Sequence, residues 1–399
     1  MIKFGIIKEG KTPPDERVPL TPTQLSIFKE DDGISVKVAS SDIRRITDAE
    51  YNEAGFETHD SVNDCDVLLG VKEVPIDELV PGKTHLFFSH TIKMQPYNKG
   101  LLQAVLDKKI RLIDWECLTD SRGARLIGFG RYAGIVGAYN GFRLFGHKSG
   151  LFDLKKAQAC QDRKEMEAEL DKMTLPALKI LLTGRGKVAK GAIETLTRAG
   201  IKRVEKDAFL NESFDEPVYC QITFRDYFEK KNGEEFETQE FFDHPDRFQS
   251  CFMPFARVTD YFIAGHYWNS EAPFLFTRED AKREDFNISL IADVSCDIDG
   301  PVASTIRPST ISEPFYGYDP KSESEVSYNT PDSIAVMAVD NLPCELPRDA
   351  SFDFGEMFLE NVLPAFLNGD EDGILDRATI AQDGELTPRY AYLSDWVNG

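Results

Sequence analysis

The stretch LKILLTGRGKVAKGAIETLTRAG, residues 178–200, decides the fold of the middle of the chain. Residues 178–182 are apolar and predict a buried strand, and the residues after the turn predict a helix that ends at Gly200. The turn between them fits the pattern G-x-G-x-x-G/A with Gly184, Arg185, Gly186, Lys187, Val188 and Ala189. In this order of strand, turn and helix, the pattern predicts a Rossmann-type domain.

The glycine turn has the chemistry of a dinucleotide site. The first glycine permits a tight turn, and the second lets backbone N–H groups approach a pyrophosphate at the helix N-terminus. We therefore predict that residues 184–188 bind a cofactor, against the alternative of a turn that merely packs. Glu205 and Asp207 stand where an acidic residue binds the ribose 2′-hydroxyl of NAD, but Lys202, Arg203 and Lys206 beside them could accept the 2′-phosphate of NADP. The sequence leaves NAD or NADP open.

Composition limits the partners of this protein. The 399 residues include 68 acids and 46 bases, which gives a formal charge of −22. A surface with this much negative charge repels phosphate backbones and anionic lipid. We therefore expect no nucleic acid and no membrane partner. Instead, a small-molecule substrate and a monomer or small homo-oligomer are expected. The N-terminus MIKFGIIKEGK predicts a strand rather than a signal peptide, and the seven scattered cysteines favour reduced thiols, a cytoplasmic setting and no metal site.

Strands and helices alternate along the first third of the chain, which predicts a parallel α/β sheet. The predicted strands cover 2–7, 34–40, 66–72, 85–90 and 110–115. A helical region is predicted over 131–172, and residues 205–260, acidic and rich in Phe, are interpreted as excursions around a second sheet. YCQITF, DYFIAG and SLIADVS predict later strands of that sheet. A helix is predicted near 354–367.

Polar residues follow four of the apolar strands in residues 1–130, where the carboxyl ends of parallel strands form a ligand-binding edge. Taken singly, such a Lys or Arg is usually a solvated loop residue, and a lone His is usually a hydrogen-bonded structural residue. Their repeated position favours a common site. These residues are Lys11, Arg17, Lys72, Glu73, His90, Glu116 and Arg125.

Several longer motifs resemble a known family. The strings KTHLFFSHTIKMQ (83–95), IRLIDWECLTDSRGARLIGFGRYAGIVGA (110–138) and DNLPCELPRDAS (340–351) are similar to the saccharopine dehydrogenase (lysine-forming) and lysine–ketoglutarate reductase family. That family lies within the alanine dehydrogenase and pyridine nucleotide transhydrogenase group. The likeness continues in TGRGKVAKGA, ADVSCDIDGPV, TIRPSTISEPFYGYD and TIAQDGELTPRYAYL.

The resemblance implies an α/β protein of two Rossmann-like domains with parallel sheets that flank an interdomain cleft. Residues 1–130 with about 335–399 would form the catalytic domain, and 131–334 the dinucleotide-binding domain. The implied reaction interconverts saccharopine with L-lysine and 2-oxoglutarate, using NAD or NADP. Alternatives are a related alanine- or opine-type amino-acid dehydrogenase and a non-catalytic NAD(P)-sensing module.

The resemblance also implies roles for single residues. Lys72 and His90 match the acid–base pair, and we assign Lys72 to the substrate amine and His90 to the attacking water. Asp340 matches a segment near the nicotinamide end of the cofactor. The substrate has three carboxylates, which suits Arg as a bidentate donor. The matching substrate-binding positions are Lys11, Arg17, Glu73, Glu116 and Arg125.

Overall fold

The structure is a computed structural model that describes residues 2–28 and 33–399. Its strands are β1 (Ile2–Ile6), β2 (Ile34–Ala39), β3 (Thr58–His59), β4 (Val67–Leu69), β5 (Thr84–Phe87), β6 (Arg111–Asp114), β7 (Lys179–Thr183), β8 (Lys202–Arg203), β9 (Val218–Ile222), β10 (Phe228–Lys230), β11 (Phe248–Ser250), β12 (Tyr261–Ala264), β13 (Leu290–Asp293), β14 (Phe315–Asp319), β15 (Ser324–Val326), β16 (Ile334–Met337), β17 (Thr379–Gln382) and β18 (Glu385–Leu386).

The α-helices of the described residues are mostly short. They are α1 (Pro22–Leu25), α2 (Asp48–Glu53), α3 (Lys99–Asp107), α4 (Gly130–Ser149), α5 (Arg163–Glu169), α6 (Lys187–Arg198), α7 (Lys206–Asn211), α8 (Phe224–Tyr227), α9 (Thr238–Asp243), α10 (Met253–Ala256), α11 (Arg278–Ala281), α12 (Pro347–Asn361), α13 (Leu363–Leu367), α14 (Ile374–Ala378) and α15 (Ser394–Asn398). Among the described residues, no helix is long and apolar enough to cross a membrane.

The chain forms two units. The first comprises Met1–Phe129 and Pro347–Gly399, and the second comprises Gly130–Leu346. Strand β16 belongs to the second unit, so the chain returns to the first unit at Pro347 rather than near residue 335.

The first unit is built on a sheet with strand order β18-β17-β6-β5-β4-β1-β2-β3. Strands β1 to β6 are parallel, as their apolar composition predicts, whereas β17 and β18 run antiparallel at one edge. Asp383 and Gly384, both with positive φ (56° and 89°), form the tight turn between these two edge strands. The α/β class is confirmed, but this sheet is mixed rather than purely parallel.

The second unit has a sheet with strand order β15-β14-β16-β13-β12-β7-β9-β8. It too is parallel except for β14 and β15 at one edge. Helix α6, which follows the glycine turn, crosses α4 so closely that a Cβ on Gly191 would lie 1.9 Å from the Arg131 carbonyl oxygen. Glycine is therefore required where these two helices cross.

One sequence expectation for the second unit was wrong. The predicted helical region 131–172 is helical only over Gly130–Ser149 and Arg163–Glu169, with short 3-10 turns beside them, because Gly150 ends the first helix at φ +71°. Residues 205–260 form the elements from α7 to α10, of which only β9 joins the eight-stranded sheet, so most of this segment lies outside that sheet as predicted. Their phenylalanines pack into the hydrophobic core that includes Phe209, Phe241 and Phe252.

Candidate active site

The carboxyl ends of β4 and β5 bring Lys72 and His90 onto neighbouring segments. The two strands pair in parallel with Leu69 opposite Leu86, and the Phe88 N–H continues the ladder by donating to the Val71 carbonyl at 3.0 Å. His90 follows two residues later with φ 53°, in the left-handed region that non-glycine residues rarely adopt. Because β4 and β5 are buried and paired, they fix the backbone positions of Lys72 and His90.

Glu73 connects the cluster. Its Oε1 lies 2.7 Å from His90 Nδ1, and its Oε2 accepts a hydrogen bond from Lys11 Nζ at 2.6 Å. Burial alone would raise the pKa of Glu73, but the hydrogen bonds from His90 and Lys11 lower it to about 2. Glu73 is therefore an ionised acceptor at any physiological pH, and it joins Lys11 to His90 in one hydrogen-bonded chain.

Glu9 supports the segment that carries Lys72, and the sequence analysis missed it. Its carboxyl group is buried and accepts hydrogen bonds from the N–H groups of Val71 at 2.6 Å and Lys72 at 2.9 Å. Burial, and next the charge of Asp15, raise the pKa of Glu9 to about 8. A glutamate two residues before Lys11 carries no local sequence signal, because only folding places it across from residue 71.

Arg17 lies beside this cluster in a buried ion pair. Its Nε and Nη2 donate to Asp15 at 2.9 and 2.6 Å, both side chains are 2% exposed, and the guanidinium lies 4.0 Å from the centre of the Phe129 ring. Burial would raise the pKa of Asp15, but Arg17, and more weakly Lys72, hold it well below its usual range. The fork of Arg17 is thus occupied by Asp15, so its contact with a substrate carboxylate stays a prediction.

Glu116 and Arg125 also lie together, with Lys93 as a third member. Arg125 Nη2 donates to Glu116 Oε1 at 2.8 Å, and Lys93 Nζ lies 3.4 Å from Glu116 Oε2. Burial opposes the ionisation of Glu116, but Lys93 and Arg125 hold its pKa below the ordinary value. The side chains of Lys93 and Arg125 are 46% and 48% exposed. They can therefore reach an anionic ligand while Glu116 fixes their position.

Asp114 ties the ends of β5 and β6 together and was also missed by the sequence analysis. Its fully buried carboxyl group accepts hydrogen bonds from the Ser89 N–H at 2.9 Å, the Ser89 hydroxyl at 2.5 Å and the Glu116 N–H at 2.7 Å. Burial raises its pKa. Asp114 thereby fixes the backbone next to His90 relative to that of Glu116.

In the second unit, the glycine turn has the geometry that the pattern predicts. Gly184 has φ +97°, and a Cβ there would lie 2.4 Å from the Gly265 carbonyl oxygen. A Cβ on Gly186 would meet no described atom within 4 Å, so the backbone at the start of α6 is open to a ligand. His266 lies beside the turn, 7% exposed, with Nδ1 2.6 Å from the Thr183 hydroxyl and with no hydrogen-bond partner for Nε2 among the described residues. These residues fit an anionic dinucleotide.

Three cofactor residues predicted from sequence lie farther along the same sheet. Glu205 and Asp207 are exposed and follow β8, which is separated from β7 by β9, so the sheet does not place them next to the glycine turn as expected. The first strand after α6 goes to the edge of the sheet, and a contact of Glu205 or Asp207 with a cofactor stays a prediction. Asp340 is exposed after β16, three strands from β7 on the other side.

Two further acidic residues lie at the end of β13. Asp293 is fully buried and accepts hydrogen bonds from the hydroxyls of Ser295 at 2.5 Å and Thr305 at 2.7 Å. Burial and the nearby Asp293 raise the pKa of Asp297 to about 6. Within residues 2–28 and 33–399, no three His, Cys, Asp or Glu side chains cluster in a way that could hold a metal ion.

Comparison with known proteins confirms the predicted resemblance. Residues 5–136 match the family "Alanine dehydrogenase/PNT, N-terminal domain". Alpha-aminoadipic semialdehyde synthase of Bos taurus is 29% identical over 95% of this chain and 46% of its own length, and saccharopine dehydrogenase [NAD(+), L-lysine-forming] of Schizosaccharomyces pombe is 25% identical over 88% of this chain and 90% of its own. This chain thus spans about half the length of the first of these relatives.

The fold has a relative of known structure. An L-alanine dehydrogenase superposes with a TM-score of 0.64 at 14% sequence identity, and the match covers 99% of this chain and 100% of that protein. At this identity the likeness concerns the fold alone. It agrees with the two mostly parallel α/β sheets described above.

Proposed function

We propose that this protein is an NAD(P)-dependent oxidoreductase that interconverts saccharopine with L-lysine and 2-oxoglutarate. The observation that carries the proposal is the hydrogen-bonded chain from Lys11 through Glu73 to His90, at the strand ends that also carry Lys72. The names of the relatives agree with this reaction.

The contact with Glu73 gives His90 a defined role. Since the carboxylate of Glu73 is ionised, it accepts a hydrogen bond from the N–H group at Nδ1 of His90, at 2.7 Å. The neutral imidazole then carries its lone pair on Nε2, which can accept a proton from water. We therefore propose that Nε2 of His90 removes a proton from the water that attacks the imine carbon, and returns one to the leaving amine.

Lys72 is proposed to handle the other proton of the reaction. The secondary amine of saccharopine must lose its proton before the neighbouring C–H bond releases hydride, and the amine of Lys72 takes that proton. The dinucleotide, when bound, accepts the hydride. Water then adds to the resulting imine, and cleavage of the C–N bond gives 2-oxoglutarate and lysine, with one proton released overall.

The cations around the cluster suit a substrate with several carboxylates. Lys11 is 32% exposed, and Lys93 and Arg125 are more exposed still, so each can contact a ligand without giving up its glutamate. In the proposal Arg125 binds one substrate carboxylate bidentately, and Glu73 or Glu116 binds the lysine ammonium. Fixed carboxylates hold the reacting carbon in place, which is the entropic part of catalysis.

One assay tests the proposal. Nicotinamide absorbance is followed with saccharopine, and separately with lysine plus 2-oxoglutarate, each with the NAD and the NADP form of the cofactor. Turnover in at least one mixture is expected, and silence in all four from folded protein would contradict the proposed reaction. Turnover with alanine or an opine instead would favour the alternative amino-acid dehydrogenase.

Variants test the roles of the two proposed catalytic residues. Lys72→Met and His90→Gln should lower kcat by about 100-fold or more with little change in cofactor affinity. His59→Gln, on edge strand β3, and Lys37→Met, on β2, are matched controls that should keep wild-type turnover. Near wild-type kcat in either catalytic variant would remove that residue from the chemistry.

A further inference from the structure

The order of strands in the second unit changes which segment lies next to the glycine turn, where the ribose of a dinucleotide is usually bound. In a standard dinucleotide-binding sheet, the strand after the first helix lies next to the first strand and ends in the residue that binds the 2′-hydroxyl. Here β9 pairs with β7 along Lys179–Thr183, and β8 pairs only with the outer side of β9. Residues 223–226, directly after β9, therefore occupy the place beside the glycine turn.

The end of β9, which leads into this segment, is in direct contact with the glycine turn. The Gly184 N–H donates to the Ile222 carbonyl at 2.9 Å, and Gln221 Nε2 donates to the Gly184 carbonyl at 2.8 Å. The guanidinium of Arg185 lies 5.8 Å from the centre of the Phe224 ring. A dinucleotide with its pyrophosphate at the turn would thus have residues 223–226 next to its adenosine ribose.

The carboxylate of this segment is already occupied. Asp226 Oδ2 accepts hydrogen bonds from the Thr223 N–H at 2.9 Å and the Thr223 hydroxyl at 3.1 Å, and Oδ1 accepts one from Lys206 Nζ at 3.0 Å. These three donors engage most of the acceptor sites of the carboxylate, and Lys206 offsets its charge. The segment therefore offers a weaker acceptor for a ribose 2′-hydroxyl than the unengaged carboxylate of NAD recognition.

Exposed cations lie on the glycine turn and on the segment after β9. Arg185 and Arg225 are both exposed, one within the glycine turn and one at the end of the segment. Arg225 Nη2 donates to the Thr238 hydroxyl at 2.5 Å, a neutral contact that a phosphate can replace. Guanidinium groups are strong donors to a dianionic phosphate, and these two lie on the glycine turn and on the segment that follows β9.

We propose that Arg185 and Arg225 bind the 2′-phosphate of the dinucleotide, so that this protein selects NADP(H) over NAD(H). The inference rests on the proposed function in one respect, that the second unit binds a dinucleotide. It assigns specificity to the residues after β9 and to the turn, instead of to Glu205 and Asp207 after β8.

The test measures binding to the full-length chain without turnover. Dissociation constants for NADPH and NADH are measured by isothermal titration calorimetry, together with those for 2′,5′-ADP and 5′-ADP. Wild type should bind NADPH at least tenfold more tightly than NADH, and 2′,5′-ADP at least tenfold more tightly than 5′-ADP. Hydrogen bonds to charged groups contribute enough free energy for a tenfold difference in affinity. Arg225→Gln and Arg185→Gln should each weaken NADPH binding by about tenfold and leave NADH binding unchanged.

A matched control uses an arginine at the opposite end of the strands. Arg257 precedes β12 and pairs with Asp285 at 2.7 Å, at the amino ends of the parallel strands, whereas the glycine turn is at their carboxyl ends. Arg257→Gln removes the same charge and should not change the preference for NADPH.

The outcomes separate the two proposals. The inference would be overturned if the wild type bound NADH as tightly as NADPH or more tightly. It would also be overturned if Glu205→Gln lost NADH affinity while Arg225→Gln had no effect on NADPH binding. Either result would leave the dinucleotide site intact. Absence of binding of all four nucleotides would contradict the dinucleotide site itself, and with it the proposed function.

Discussion

Replacing Glu9 by glutamine probes a buried carboxyl group of the first unit whose pKa is strongly raised. The Glu9 carboxyl group is buried between β1 and the segment after β4, where it accepts hydrogen bonds from the Val71 and Lys72 N–H groups. Burial favours its neutral form, whereas the two hydrogen bonds favour its ionised form, and the balance places its pKa at about 8 instead of 4.5. Glutamine keeps the shape and one acceptor but cannot ionise.

The magnitude follows from linkage. Between pH 4.5 and about 8 the folded protein retains a proton on Glu9 that the unfolded chain has lost, so stability falls as the pH rises through this range. At pH 7 the cost is about 3.4 kcal/mol, from about 2.5 pH units at about 1.36 kcal/mol each. Glu9→Gln removes this cost. Its amide offers one oxygen where the carboxyl group offers two, so one buried N–H group loses its acceptor at a cost of about 1–3 kcal/mol at every pH. We expect the stability of the variant relative to wild type to rise by about 3 kcal/mol between pH 4.5 and pH 7.

The assay is urea unfolding at several pH values in a Trp268→Phe background. Of the three tryptophans, Trp115 and Trp396 then remain, and both belong to the first unit. Trp115 is well placed because its indole N–H donates to the Gly70 carbonyl, one residue before Val71. Glu57→Gln, a change at an exposed residue, is the control and should show no such pH dependence. A stability difference between Glu9→Gln and wild type that stays constant from pH 5 to 8 would refute the reasoning, because Glu9 would then have the same pKa in the folded and the unfolded chain.

Three further predictions follow from the same coordinates. Asp15→Asn leaves the buried Arg17 without its ionised partner and should cost about 3–5 kcal/mol of stability in urea unfolding, whereas unchanged stability would mean that the pair is solvated. The pKa of Glu73 is lowered from 4.5 to about 2, so its contribution should be full above pH 4.5 and fade as the pH falls toward 2; a Glu73→Gln difference that does not shrink over that range would contradict it. Gly191→Ala places a Cβ 1.9 Å from a backbone oxygen and should destabilise the second unit by several kcal/mol in thermal melting, whereas Gly100→Ala, whose Cβ would have its nearest neighbour at 3.7 Å, should be tolerated.

The apolar strands and the glycine turn were predictable because they depend on local chemistry. Residues 2–7 and 34–40 correspond to β1 and β2 almost to the residue, since the first stretch is mainly apolar and the second alternates apolar with polar residues. Gly184 and Gly186 lie between β7 and α6 as the pattern requires. The charged segment 153–173 shows the limit of such reasoning, because helix-forming composition without a continuous apolar stripe produced only one short helix.

The polar contacts of the site were only partly predictable. The sequence placed Lys72, Glu73 and His90 at strand ends, and the structure joins Glu73 to His90. It did not identify Glu9 or Asp114, because each acts on backbone N–H groups that are distant along the chain.

The sequence by itself determined the α/β class, the glycine turn and the polar residues at strand ends, since periodicity and turn chemistry act over a few neighbouring residues. Only the tertiary structure decided which strand lies next to β7, and therefore that residues 223–226 rather than 205–207 adjoin the turn. It also decided which carboxyl groups are buried. Strand order and burial are set by long-range packing, in which a residue's partner can be any residue that folding brings to its side.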